Sequence, residues 1–157
     1  AQAARIASTC GATRSDSVAA GVAEVPGDAG IILVHDAARP VVPADLVDRV
    51  LAGFADGADG VIPVLPIDDT VKRVDRAGAV VETLDRAELR AVQTPQAFLA
   101  DALRRAVAAD DRATGTDCAS LVERAGGRVA TVSGDPRTMK ITTRADLERA
   151  EALRDAD

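Results

Sequence analysis

Apolar and polar positions divide the chain into short alternating elements. The sharpest is Ile31-Ile32-Leu33-Val34-His35, an apolar run without a polar break, closed by Asp36-Ala37-Ala38-Arg39-Pro40. Such a run predicts a strand buried on both faces of a parallel sheet. Upstream, Gly11 to Ser17 is a polar turn and Val18 to Ala23 carries a helical pattern, with Ser15 or Asp16 as N-cap and Pro26-Gly27-Asp28 as the stop. Downstream, Pro43 near a first helical position and the apolar stripe to Leu51 predict a helix, followed by a strand at Val61-Ile62-Pro63-Val64-Leu65. A strand, a helical crossover and a strand imply two parallel strands.

The period then changes. Asp69 to Val74 and Ala79 to Leu84 alternate around Asp75-Arg76-Ala77-Gly78, the pattern of a hairpin. A two-stranded ribbon is marginal alone, so this one is expected to pack on something, most simply the same arm of a second copy. Arg90 to Gln96 returns to the sheet and breaks at Pro95. A helix is predicted from Leu99 to Ala109, and another from Thr116 or Asp117 to Gly126-Gly127. Arg128 to Val132 reads as a strand and Met139 to Thr142 as a short one, before a capping box, Thr143-Arg144-Ala145-Asp146, opens the last helix. The expected architecture is one α/β domain over residues 1–157 with a protruding hairpin at about 67–86.

Composition narrows the function. At 157 residues, 47% apolar and 28% charged, the chain suits one globular domain with a core. No apolar run approaches a membrane span, and no secretory or transit signal opens the sequence. A net charge of −6 argues against non-specific nucleic-acid binding, yet leaves room for an anionic substrate at a local cluster of Arg and Lys. Cys10 and Cys118 lie far apart without metal-ligand spacing, which fits a reducing cytoplasm better than a disulfide framework. One histidine and no tyrosine or tryptophan leave zinc sites, Ser-His-Asp triads and base-stacking platforms short of parts.

Asp36 and Arg39 fall just past the carboxyl end of the first strand, where ligands sit in open α/β sheets. Ala37 and Ala38 between them would let a ligand approach the backbone; a buried structural ion pair is the other reading of the same residues. Arg86 after the hairpin, Thr94 at a strand end, Thr116 at a helix start and Lys140 near the C-terminus join them. Cations with helix N-terminal hydroxyls suit a phosphate, and the Asp36 carboxylate offers the hard oxygen that Mg2+ needs. Singly, each is as well read as a surface arginine, a capping threonine or a solvated lysine; the shared placement at loop mouths brings them together. His35 is expected on the strand face opposite Asp36, in a structural role.

A series of motifs carries a resemblance: Gly11-Ala12-Thr13-Arg14-x-Asp16-Ser17-Val18, then Leu33 to Pro40, Asp68-Asp69-Thr70-Val71-Lys72, Leu84-Asp85-Arg86, Gln93-Thr94-Pro95-Gln96-Ala97-Phe98, Thr116-Asp117-x-Ala119-Ser120 and Met139-Lys140-Ile141-Thr142. In order and spacing, from Gly11 onward, this resembles the methylerythritol phosphate cytidylyltransferases. The resemblance implies a Rossmann-like nucleotidyltransferase sheet with helices on both faces and a β-hairpin dimerisation arm. It implies transfer of CMP from CTP to methylerythritol phosphate, giving CDP-methylerythritol and pyrophosphate in the non-mevalonate isoprenoid pathway, with Mg2+. Gly11, Ala12, Ser17 and Ala37 would then line the nucleotide, and Asp36 would sit by the triphosphate and its metal. Arg39 would help hold the mouth, and Thr94 and Thr116 would surround the acceptor phosphate. Arg86 and Lys140 would position that phosphate for attack, Arg86 reaching a neighbouring subunit's site through the arm.

Two departures accompany the match. The Gly-rich loop with an arginine and a lysine that opens the family has no counterpart before Gly11. A polypeptide of this sequence alone is therefore expected to lack useful cytidylyl transfer and to expose apolar surface. Cys118 stands where the family has an acidic residue; a thiol there is either a helix N-terminal thiol of lowered pKa or, as the preferred reading, a small side chain filling a pocket. The rival functions are a cytidylyltransferase for ribitol phosphate or another sugar phosphate, and a non-catalytic dimerisation or binding module.

Overall fold

A computed structural model describes residues 13–55, 57–109 and 117–154. The first helix, α1 (Arg14–Ala23), starts two or three residues earlier than Ser15 or Asp16 would allow as caps. Thr13 is the N-cap: the Asp16 N–H donates to Thr13 Oγ1 at 3.1 Å and the Thr13 N–H to Asp16 Oδ2 at 3.1 Å. Thr-x-x-Asp is itself a capping box, which satisfies orphan donors in both directions and so outcompetes the single caps downstream.

The run from Ile31 forms β1 (Ile31–Val34), followed by α2 (Ala44–Ala52) and β2 (Gly60–Pro66). The hairpin is β3 (Lys72–Val74) and β4 (Val80–Thr83), a separate two-stranded sheet, and a short 3-10 turn over Arg86–Glu88 leads to β5 (Arg90–Val92). Next come β6 (Gln96–Leu99), α3 (Ala100–Ala109), α4 (Cys118–Arg124), β7 (Val129–Ser133) and α5 (Arg144–Arg154). The strand expected at Met139 to Thr142 does not form; that segment is a loop whose Ile141 N–H donates to the Ala38 carbonyl at 2.8 Å.

In the main sheet β6 lies between β1 and β2 and is antiparallel to both, so β1 and β2 point the same way without touching. The expected parallel orientation holds, with β6 separating the two strands. On β2, β5 continues the antiparallel edge occupied by β6, and β7 pairs in parallel along the other edge. The carboxyl ends of β1, β2 and β7 therefore emerge on the same side.

Alternation along the strands sorts side chains into two cores. Ile32, Ile62, Val64 and Phe98 meet α1, α3 and α4, whereas Val61 and Ala97 on the other face meet Leu46 and Val50 of α2. Helices thus lie on both faces of the sheet. β1 departs from the expected double burial: Ile32 is buried, but Ile31 and Leu33 are 39% and 41% exposed. An unbroken apolar run states what a strand could cover, not what covers it, and α2 sits over β2, β6 and β7 rather than β1.

Candidate functional site

The site gathers at the carboxyl ends of those strands. A turn closed by Arg39 N–H to the Asp36 carbonyl at 2.9 Å follows β1 and presents both side chains. The break between β5 and β6 supplies Gln93 and Thr94, the first residue of α1 supplies Arg14, and the loop after β7 supplies Lys140. Asp117, Ser120 and Glu123 of the α4 region complete the wall of an open pocket of about 490 Å³. That volume is in the range of a small-molecule site.

Asp36 is its electrostatic centre. Its Oδ1 lies 3.4 Å from Arg14 Nη2 and its Oδ2 lies 3.3 Å from Lys140 Nζ. Burial alone would raise the carboxyl pKa, but the charges of Arg14 and Lys140, with their hydrogen bonds, outweigh it and hold Asp36 below the ordinary carboxylate value. The carboxylate keeps two cations at one mouth. Arg39 does different work: Nη1 donates to the Thr138 carbonyl at 2.8 Å and Nη2 to that of Val92 at 3.4 Å. Burial lowers its pKa and Asp36 opposes the shift. Its guanidinium braces loops against each other.

A hydrogen-bond chain holds the Asp36 turn from beneath. The Asp36 N–H donates to Thr94 Oγ1 at 3.1 Å, Thr94 Oγ1 lies 2.9 Å from His35 Nδ1, and His35 Nε2 lies 2.8 Å from the Arg39 carbonyl. A carbonyl only accepts, so Nε2 carries the proton, and the Thr94 hydroxyl donates to an unprotonated Nδ1. The structural role expected of His35 is realised by this chain.

Of the residues singled out from the sequence, Asp36, Arg39, Thr94 and Lys140 come together around the pocket. Ala37 is exposed beside Asp36, and Ser17 lies one turn into α1 with its Oγ donating to the Thr13 carbonyl at 3.1 Å; neither lines the pocket. Arg86 is exposed in the 3-10 turn, donates to the Asp68 carbonyl and does not reach the pocket of its own chain. Gly11, Ala12 and Thr116 lie outside the described residues. Arg14, not singled out from the sequence, joins Arg39 and Lys140 as the third cation that this chain itself brings to the pocket. A signal for it was present: an arginine at a helix N-terminus opposes the macrodipole and needs another reason to be there. Gln93, Gln96 and Asp117 also line the pocket without having been singled out.

Cys118 is buried beside Arg14, with its Sγ 3.5 Å from Arg14 Nη1. Burial pushes the thiol pKa up, with Arg14 only partly offsetting it. The residue is a space-filling thiol, as preferred from the sequence. Among the described residues, no three His, Cys, Asp or Glu side chains cluster to hold a metal. No helix among them is long and apolar enough to cross a membrane.

Comparison with known proteins decides the family. The model of the family described as 2-C-methyl-D-erythritol 4-phosphate cytidylyltransferase matches residues 4–155. The chain belongs to that family. The enzyme of that name from Nocardia farcinica is 57% identical over 145 residues, covering 92% of this chain and 62% of the relative. Its counterpart from Rhodococcus jostii is 54% identical over 143 residues, covering 91% and 62%. The crystal structure of the Thermus thermophilus enzyme superposes with a TM-score of 0.81 at 39% identity, covering 92% of this chain and 71% of that one. The chain spans about 62% of the length of these curated relatives. The family's sheet, with helices on both faces, is therefore present in this portion.

Proposed function

We propose that this chain forms part of an active site that transfers the cytidylyl group of CTP to 2-C-methyl-D-erythritol 4-phosphate in isoprenoid biosynthesis. The observation that carries the reading is Asp36 holding Arg14 and Lys140 at a pocket past the carboxyl ends of the sheet. In the reaction an oxygen of the acceptor phosphate attacks the α-phosphorus of CTP. A new P–O–P bridge forms, the bond from the α-phosphorus to the β-bridging oxygen breaks, and its electron pair leaves with pyrophosphate. Two anions must meet, so catalysis consists of positioning and charge neutralisation.

Lys140 supplies a cation to the meeting phosphates, and Arg14 a second on the opposite side of Asp36. Thr94 and Thr116 surround the acceptor phosphate, Arg39 holds the mouth, and Gly11, Ala12, Ser17 and Ala37 line the nucleotide. Mg2+, when bound, supplies further charge neutralisation at the triphosphate, with Asp36 as its protein ligand. A single carboxylate fits this ion, which commonly takes one or two carboxylates and its remaining ligands from substrate phosphates and water. The hairpin arm pairs two copies, carrying Arg86 toward the partner's site, and the enzyme works in the cytoplasm. Exposed Val74, Val80 and Val81 on the arm support that pairing.

The test is pyrophosphate release from CTP by the full-length protein carrying this sequence, with methylerythritol phosphate and ribitol phosphate as competing acceptors. Turnover on the first, with Asp36→Asn reducing kcat on the order of 100-fold, is the expected outcome. Preference for ribitol phosphate, or CTP-independent dimerisation without turnover, would sink the reading.

A further inference from the structure

A glutamine side chain presents N–H donors and a carbonyl, the same pair a peptide group presents. Gln93 is 4% exposed and uses both ends. Its Oε1 accepts from the Asp135 N–H at 2.9 Å, and its Nε2 donates to the Asp135 carbonyl at 2.9 Å and to that of Thr138 at 3.4 Å. The loop after β7 is thus held as a neighbouring strand would hold it. The clamp is rooted in the sheet, because the Gln93 N–H donates to the Pro63 carbonyl of β2 at 2.9 Å. It is also close-fitting: a Cβ on Gly134 would lie 2.3 Å from Gln93 Oε1.

Two residues beyond Thr138, the same loop delivers Lys140 Nζ to 3.3 Å from Asp36 Oδ2. Beyond it, the Ile141 N–H is anchored on the Ala38 carbonyl at 2.8 Å. The loop has no regular secondary structure between these anchors, so the Gln93 amide and the Arg39 bond to Thr138 take the place of a ladder. A lysine has four rotatable bonds, and its charge is placed only as well as its backbone is.

We propose that Gln93 is a positioning residue for Lys140, its buried amide holding the Asp135–Thr138 backbone so that the Lys140 ammonium stands against Asp36. The catalytic consequence rests on the cytidylyl-transfer reading above; the positioning itself does not.

Carbon-13 dimethylation gives lysine signals, of which Lys72→Arg and Lys140→Arg each assign one by its loss. The Lys140 signal in Asp36→Asn marks the unpaired position. In Gln93→Met, which keeps the shape and removes the amide, the Lys140 signal is expected to move toward that position while that of Lys72 stays. The Asp135 and Ile141 amides should exchange faster. Turnover should show kcat reduced about 10- to 100-fold, with KM for CTP little changed. If Gln93→Met does not fold, Gly134→Ala displaces the clamp from the loop side and carries the same readouts. A folded variant whose Lys140 signal and kcat match the parent, even with lowered thermal stability, overturns the proposal. If the parent protein itself shows no cytidylyl transfer, the proposed function falls, and the lysine signal and amide exchange still decide this one.

Discussion

Thr94 is 3% exposed and its hydroxyl works twice, accepting from the Asp36 N–H and donating to His35. Thr94→Val keeps the shape and orphans a backbone donor under the most charged turn of the molecule. The expected loss is about 1–3 kcal/mol of stability, read from the denaturant midpoint at unchanged slope. Asp36 adds a pH dependence. Its folded pKa lies below the ordinary carboxylate value, so its ion pairs contribute above the unfolded pKa and are lost as pH falls through the lower folded one. Asp36→Asn should flatten that part of the acid-unfolding curve. The placement of Asp36 and Thr94 was readable because each stands at the end of a strand in the pattern, whereas Lys140 was expected inside a short strand and lies in a loop. Gln93 was not readable, since a polar residue two positions before a proline reads as the end of a strand until the backbone it clamps is in view.

Helices and strands repeat the lesson with other physics. α5 is opened by Thr143 and Asp146 as the pattern predicts: the Asp146 carboxylate accepts from the Thr142 N–H at 3.0 Å and the Thr143 N–H at 2.8 Å. These backbone donors, Thr142 foremost, hold its pKa at about 2 against an ordinary 3.8. The cap's contribution is present above the unfolded value and disappears as pH falls from about 4 to about 2; chemical-shift titration of Asp146 and of the α5 amides should follow that window. In the strands, Phe98 is fully buried among α1, α3 and α4 residues, and its ring lies so near Gly60 that a Cβ there would stand 2.5 Å from Cδ1. Phe98→Ala should cost about 3–5 kcal/mol in thermal or denaturant unfolding, because the close-packed wall cannot collapse into the cavity.

The exposed apolar side chains of the molecule include, among the described residues, the Ile31 and Leu33 face of β1 and the valines of the arm. Only the arm is tied to a proposal. Replacing Val80 and Val81 with aspartate should abolish self-association in sedimentation velocity while leaving the thermal midpoint of the main sheet nearly unchanged, since neither side chain packs on either core. A dimer that survives both charges would remove the arm from the interface.

Local chemistry was enough for much of this. Capping boxes, proline and glycine stops, alternation and 3.6-residue periodicity act over a few residues, so sequence alone set the order and type of nearly every element and the hairpin. The insertion of β6 between β1 and β2, the exposure of one face of β1, and the arrival of Arg14 beside Asp36 depend on residues tens of positions apart. Those are outcomes of packing and charge pairing in three dimensions, where the free energy depends on which partner arrives, and no short window of sequence names the partner.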